Sequence, residues 1–144
     1  MRGDVEKLLK QDGVHLWQAD RNRMEALCGM LAENESVKLV LVGQLNVYYG
    51  AVPVPEQINA AVCITDLGIL IYGKVWKNEI SLRKPWRKLS SFDTSAGKIS
   101  GVHLALSDAG RKYLFTENYR GRVSEQHKDE LEKIKQAYYY TDQE

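Results

Sequence analysis

Ala60-Ala61-Val62-Cys63-Ile64-Thr65-Asp66-Leu67-Gly68-Ile69-Leu70-Ile71-Tyr72 is the stretch whose reading decides the fold. Two aliphatic, β-branched runs flank Thr65-Asp66-Leu67-Gly68. Turn residues between two such runs predict an antiparallel hairpin. Downstream the pattern continues as short apolar segments: Val75-Trp76, Glu79-Ile80-Ser81-Leu82, Leu89-Ser90-Ser91-Phe92, Val102-His103-Leu104-Ala105-Leu106 and Lys112-Tyr113-Leu114-Phe115. Turn signals separate them at Asn78, Pro85, Ala96-Gly97 and Asp108-Ala109-Gly110. Upstream, residues 37–49 predict one long strand, with Leu39-Val40-Leu41-Val42 apolar on both faces and Gly43 a bulge or kink. Pro53 and Pro55 predict a loop over residues 50–59.

Helices bracket this meander. Residues 4–10 predict a short one, with Val5, Leu8 and Leu9 on one face, ended by Gln11-Asp12-Gly13. The type of Val14-His15-Leu16-Trp17 is open. Residues 21–32 predict a second helix, in which Met24, Leu27, Cys28 and Leu31 form one stripe. Asp20 is its expected N-cap. The last helix is expected over residues 125–139 with Ser124 as N-cap. His127, Leu131, Ile134 and Tyr138 form its amphipathic face, and Lys128, Asp129, Glu132, Lys133 and Lys135 the charged one.

The chain has 144 residues, enough for one domain that buries a core without disulfides. Its formal net charge is +1, so any electrostatic function must come from a local patch. Cys28 and Cys63 have apolar neighbours and are expected to be reduced core thiols; no cysteine–histidine spacing suggests zinc. The first residues lack the apolar core of a signal peptide, and no apolar run is long enough for a bilayer. A soluble, cytoplasmic protein is the expectation.

The order of helix, about seven strands and a closing helix is that of a pleckstrin-homology (PH)-like barrel. Residues 37–139 resemble the bacterial PH-like domains called YokE-like and, more distantly, GRAM domains. Three segments carry the resemblance: the 62–72 hairpin with its Thr65-Asp66 turn; Glu79-Ile80-Ser81-Leu82 followed by Leu89-Ser90-Ser91-Phe92; and the final Lys112-Tyr113-Leu114-Phe115. Where that family usually has a basic residue soon after Thr-Asp, this chain has Leu67-Gly68. The resemblance implies an α+β fold, a PH-like antiparallel β-barrel of about seven strands closed by a C-terminal α-helix. Residues 1–36 would be an extra N-terminal helical extension and 37–144 the barrel with its helix. A small antiparallel sheet must blunt its edges, and closure plugged by an amphipathic helix does so. The resemblance also implies peptide binding in the groove beside the C-terminal helix. It does not carry phosphoinositide binding, because the loop joining the first two strands holds Glu56 and no Lys or Arg.

One cluster stands out. Over residues 74–88 six cations, Lys74, Lys77, Arg83, Lys84, Arg87 and Lys88, face one acid, Glu79, with Trp76 and Trp86 interleaved. Such a pattern suits an anionic membrane surface or, less well here, nucleic acid. The plainer reading, a solvated face with both indoles in the core, is favoured. His15, His103 and His127 do not assemble with a nucleophile, and Asp93 and Asp108 make no persuasive metal site. Ser95-Ala96-Gly97-Lys98 lacks the spacing of a phosphate loop and reads as a hairpin turn. No catalytic residue, metal ligand or cofactor is expected. The preferred function is a non-enzymatic module binding a protein partner or its own copies, with Leu131, Ile134, Tyr138 and Tyr139 as interface residues. Binding to anionic lipid is the alternative, and a small enzyme or a nucleic-acid binder is the more distant one. The N-terminal stripe of Met24, Leu27 and Leu31 is expected to cover the barrel rather than mediate self-association.

Overall fold

The structure is a computed structural model and describes residues 1–13, 15–51, 53, 55–75, 77–96, 101–108, 110–118 and 122–143. Val14, Trp76, Gly97, Lys98 and Ala109, which figure in the sequence reading, lie outside the described residues. Two helices, α1 (Gly3–Asp12) and α2 (Gln18–Cys28), precede seven strands: β1 (Val37–Tyr49), β2 (Glu56–Thr65), β3 (Gly68–Val75), β4 (Asn78–Pro85), β5 (Ser91–Ala96), β6 (Val102–Asp108) and β7 (Arg111–Glu117). A short 3-10 helix (Trp86–Lys88) joins β4 to β5. The chain ends in α3 (Arg122–Ile134), a π-helical turn (Lys135–Tyr139) and α4 (Tyr140–Gln143).

All strand pairs are antiparallel, and the order is β4-β3-β2-β1-β7-β6-β5. The expected closure into a barrel is not found: β4 and β5 end the sheet and do not pair with each other. An aromatic plug fills that corner instead. Trp86 packs 5.5 Å from Phe92 and 6.3 Å from Tyr139, ring centre to centre. An ion pair of 2.6 Å between Lys84 Nζ and Asp108 Oδ2 spans the same gap.

The central strand β1 explains the layering. Leu39, Leu41, Leu45 and Val47 face the inner core with Ile58, Val62, Ile71, Phe92, Leu104, Phe115 and Leu131. Val40 and Val42 face the other way, onto Val5, Leu9, Met24 and Leu27 of α1 and α2. Alternation by two would put Val37 inward. A register shift between Val37 and Leu39 turns it outward, into the layer under the helices. That is where the irregularity lies, and Gly43 keeps register with both neighbours. Gly43 serves close approach, since a Cβ there would sit 1.9 Å from the Thr116 carbonyl oxygen.

Several boundaries differ from the sequence reading. β2 begins at Glu56, inside the expected loop, because Val47 already pairs with Glu56. β5 begins at Ser91, after Leu89 and Ser90. α2 starts at Gln18, so Asp20 lies within its first turn and is ion-paired to Arg23 at 2.8 Å rather than capping. α3 starts at Arg122, which places Ser124 inside the helix and buried. Both cysteines are free thiols; burial pushes the Cys63 thiol up, and its Sγ sits 3.7 Å from Met24 Sδ.

Candidate functional site

The hairpin turn that anchored the sequence reading is held by a buried carboxylate. Thr65 Oγ1 accepts the Leu67 and Gly68 N–H groups at 3.0 and 3.2 Å, which closes the turn. The same hydroxyl donates to Glu35 Oε2 at 2.5 Å. Glu35 also accepts Arg83 Nη2 at 2.6 Å, Arg83 Nη1 at 3.2 Å and the Ala32 N–H at 3.1 Å. Burial alone would raise the Glu35 pKa; these donors outweigh it and hold the carboxyl below its usual value.

This hub disposes of part of the basic cluster. Arg83 is bound to Glu35 and to the Met30 carbonyl at 2.7 Å, and Lys84 is bound to Asp108. The Trp86 ring is wholly buried, so it is a core group and presents no face to a membrane. Lys74, Lys77, Arg87 and Lys88 remain exposed. Lys74 and Lys77 lie beside the start of β4 and Arg87 and Lys88 beyond its end, roughly 25 Å apart along the strand. Residues contiguous in sequence are thus split between two ends of a hairpin.

The expected interface residues on the last helix also turn inward. Leu131, Ile134 and Tyr139 are buried in the main core, and Tyr138 is only partly buried against it. The π-helical turn admits one extra residue, which moves the inward position from Tyr138 to Tyr139. Lys135 lies at that turn, its ammonium 5.7 Å from the centre of the Phe92 ring and 5.6 Å from that of Tyr140.

What stays open is the edge of β4. α3 packs along β5, with Thr94 Oγ1 donating to Glu132 Oε1 at 3.0 Å. Among the described residues β3 is the strand that pairs with β4, while the Ser81, Arg83 and Lys84 side chains reach Met30, Glu35 and Asp108. Pro85 pairs with Gly68 but has no N–H to give, so the polar main-chain groups at that position face away from β3. Counting back in twos, those of Arg83 and Ser81 face the same open side. Ile80 and Leu82, which alternate with them, are half-buried against the core. Among the described residues these main-chain groups have no backbone partner, and they lie above a partly uncovered apolar layer.

The remaining chemistry is dispersed. Asp93 is exposed on β5, His103 Nδ1 lies 3.2 Å from Thr116 Oγ1, and no group of three metal-binding side chains exists among the described residues. An open cleft of about 690 Å³ at the β6–β7 turn is lined by Tyr48, Asp108, Arg111, Lys112 and Leu114 among others. No helix among the described residues is long and apolar enough to cross a membrane. No family model matches the chain, and no curated protein matches it.

Proposed function

We propose that this protein is a non-catalytic, PH-like binding module that takes an extended segment of a partner protein, or of a second copy, onto the free edge of β4. The observation that carries the reading is the open sheet, in which β4 has a strand on one side only. Added strands gain affinity from main-chain hydrogen bonds and selectivity from alternate side chains. On β4 that alternation would set an incoming strand against Ile80 and Leu82 on one face and Ser81 and Arg83 on the other. The element order and the helix packed along β5 support the PH-like assignment.

The test is a displayed library of extended peptides selected on the immobilised protein, with Ser81→Pro as the control. Proline at Ser81 removes an outward N–H and leaves the β3 pairing intact. Selected peptides should lose at least about tenfold in affinity for the variant, roughly one to two net hydrogen bonds. Equal binding to both proteins would sink the proposal. Sedimentation at rising concentration reads the self-association form with the same variant.

A further inference from the structure

His127 is on α3 and wholly enclosed, yet both its ring nitrogens meet carboxylates. Nδ1 bonds Glu117 Oε2 at the end of β7, and Nε2 lies 2.7 Å from Asp12 Oδ2 at the end of α1. A neutral imidazole has one N–H and one lone pair, so it can satisfy only one of two ionised carboxylates. With both carboxylates ionised, only the imidazolium satisfies this arrangement. Asp12 supplies an independent sign of the same thing. It is the last residue of α1, where the helix dipole disfavours a negative charge, and a cation beside it removes that penalty.

We propose that His127 is a proton-operated latch, which fastens the C-terminal end of the N-terminal helix to the C-terminal helix while charged and releases it when neutral. The choice of which bond breaks follows from burial. The Glu117 side chain is fully enclosed and Asp12 is 17% exposed. Water can take over Asp12 but cannot reach Glu117, so the last N–H stays with Glu117 and α1 lets go. The other charged groups around the site are Lys38 of β1 and Asp129, Glu130 and Lys133 of α3, which with Asp12 line a cleft of about 440 Å³ between the two helices. Release widens this cleft. Burial opposes the charge on His127, but the hydrogen bonds and charges of Glu117 and Asp12 outweigh it and raise the pKa above the ordinary 6.5. The latch is closed below that value and opens as pH rises through the raised one.

The experiment follows the His127 ring by nitrogen NMR while amide exchange is recorded from pH 6 upward on wild type and Asp12→Ala, with rates corrected for intrinsic pH dependence. In wild type, protection of the amides near the end of α1 should fall about tenfold as His127 loses its proton, while β1 and β7 stay protected. In Asp12→Ala, which leaves His127 Nε2 no partner on α1, those α1 amides should be exposed at all pH values and the rest unchanged. Titration of His127 without a local change in α1, a uniform loss across the molecule, or a ring that stays charged beyond pH 10 would each overturn the latch.

Discussion

Glu35 is the residue on which the hairpin turn depends. Its carboxylate is fully enclosed and accepts from Thr65, Ala32 and Arg83. Glu35→Ala should cost about 2–3 kcal/mol in urea unfolding at pH 7, since three partners lose their acceptor and Arg83, 37% exposed, recovers part of its loss from water. The pH dependence follows from the lowered pKa: Glu35 stabilises above its ordinary value of 4.5, and this is lost as pH falls through the lower folded value. Glu35→Gln should flatten that acid limb; an unchanged limb would show that other carboxylates carry it. Trp86 makes the opposite point about its own cluster. As a buried ring against Phe92 and Tyr139, Trp86→Ala should cost about 3–5 kcal/mol by chemical denaturation. A membrane anchor would unfold nothing when removed.

At the scale of elements, β1 is the spine, pairing with β2 on one side and β7 on the other from Gly43 to Val47. Gly43 is where the β7 backbone comes closest, with the Thr116 carbonyl oxygen 1.9 Å from the point a Cβ would occupy. Gly43→Ala should destabilise by about 2 kcal/mol or more, because the β7 backbone at Thr116 and Glu117 must move away. A calorimetric melt unchanged from wild type would contradict this contact. The strand itself was legible, from Val37 to Tyr49, because it is rich in Val, Leu and Tyr and its length is unbroken by Pro. The start of β2 was not, since Pro53 and Pro55 mask a segment that pairing with Val47 recruits. The π-helical turn was equally hidden: a regular helix puts Tyr138 inward, and only packing against Phe92 and Trp86 selects Tyr139.

For the whole molecule, the open sheet and the split basic run decide how surfaces are used. Within the 74–88 run the exposed cations remain as two pairs, Lys74 with Lys77 and Arg87 with Lys88, at opposite ends of β4. Co-sedimentation with anionic vesicles at physiological salt should therefore be weak, about 1 kcal/mol for each cation that reaches the surface. Reversing Arg87 and Lys88 to Glu should change it little. Strong, salt-sensitive binding abolished by that reversal would favour the lipid alternative over the peptide edge.

By itself the sequence determined the local elements: the hairpin around Thr65-Asp66-Leu67-Gly68, the long β1, the order of strands and the amphipathic helices at both ends. Periodicity and turn chemistry act between near neighbours, so one chain read in order reveals them. That α2 packs its Met24 and Leu27 stripe on the sheet was expected from the sequence; only the tertiary structure settled that the sheet stays open and that Arg83 and Lys84 are neutralised by Glu35 and Asp108. It also decided that His127, read as one position on a helix face, joins carboxylates 10 residues before it and 115 residues before it. Charge pairing and burial depend on distance in space, and residues this far apart in the chain meet only after the sheet has brought them together.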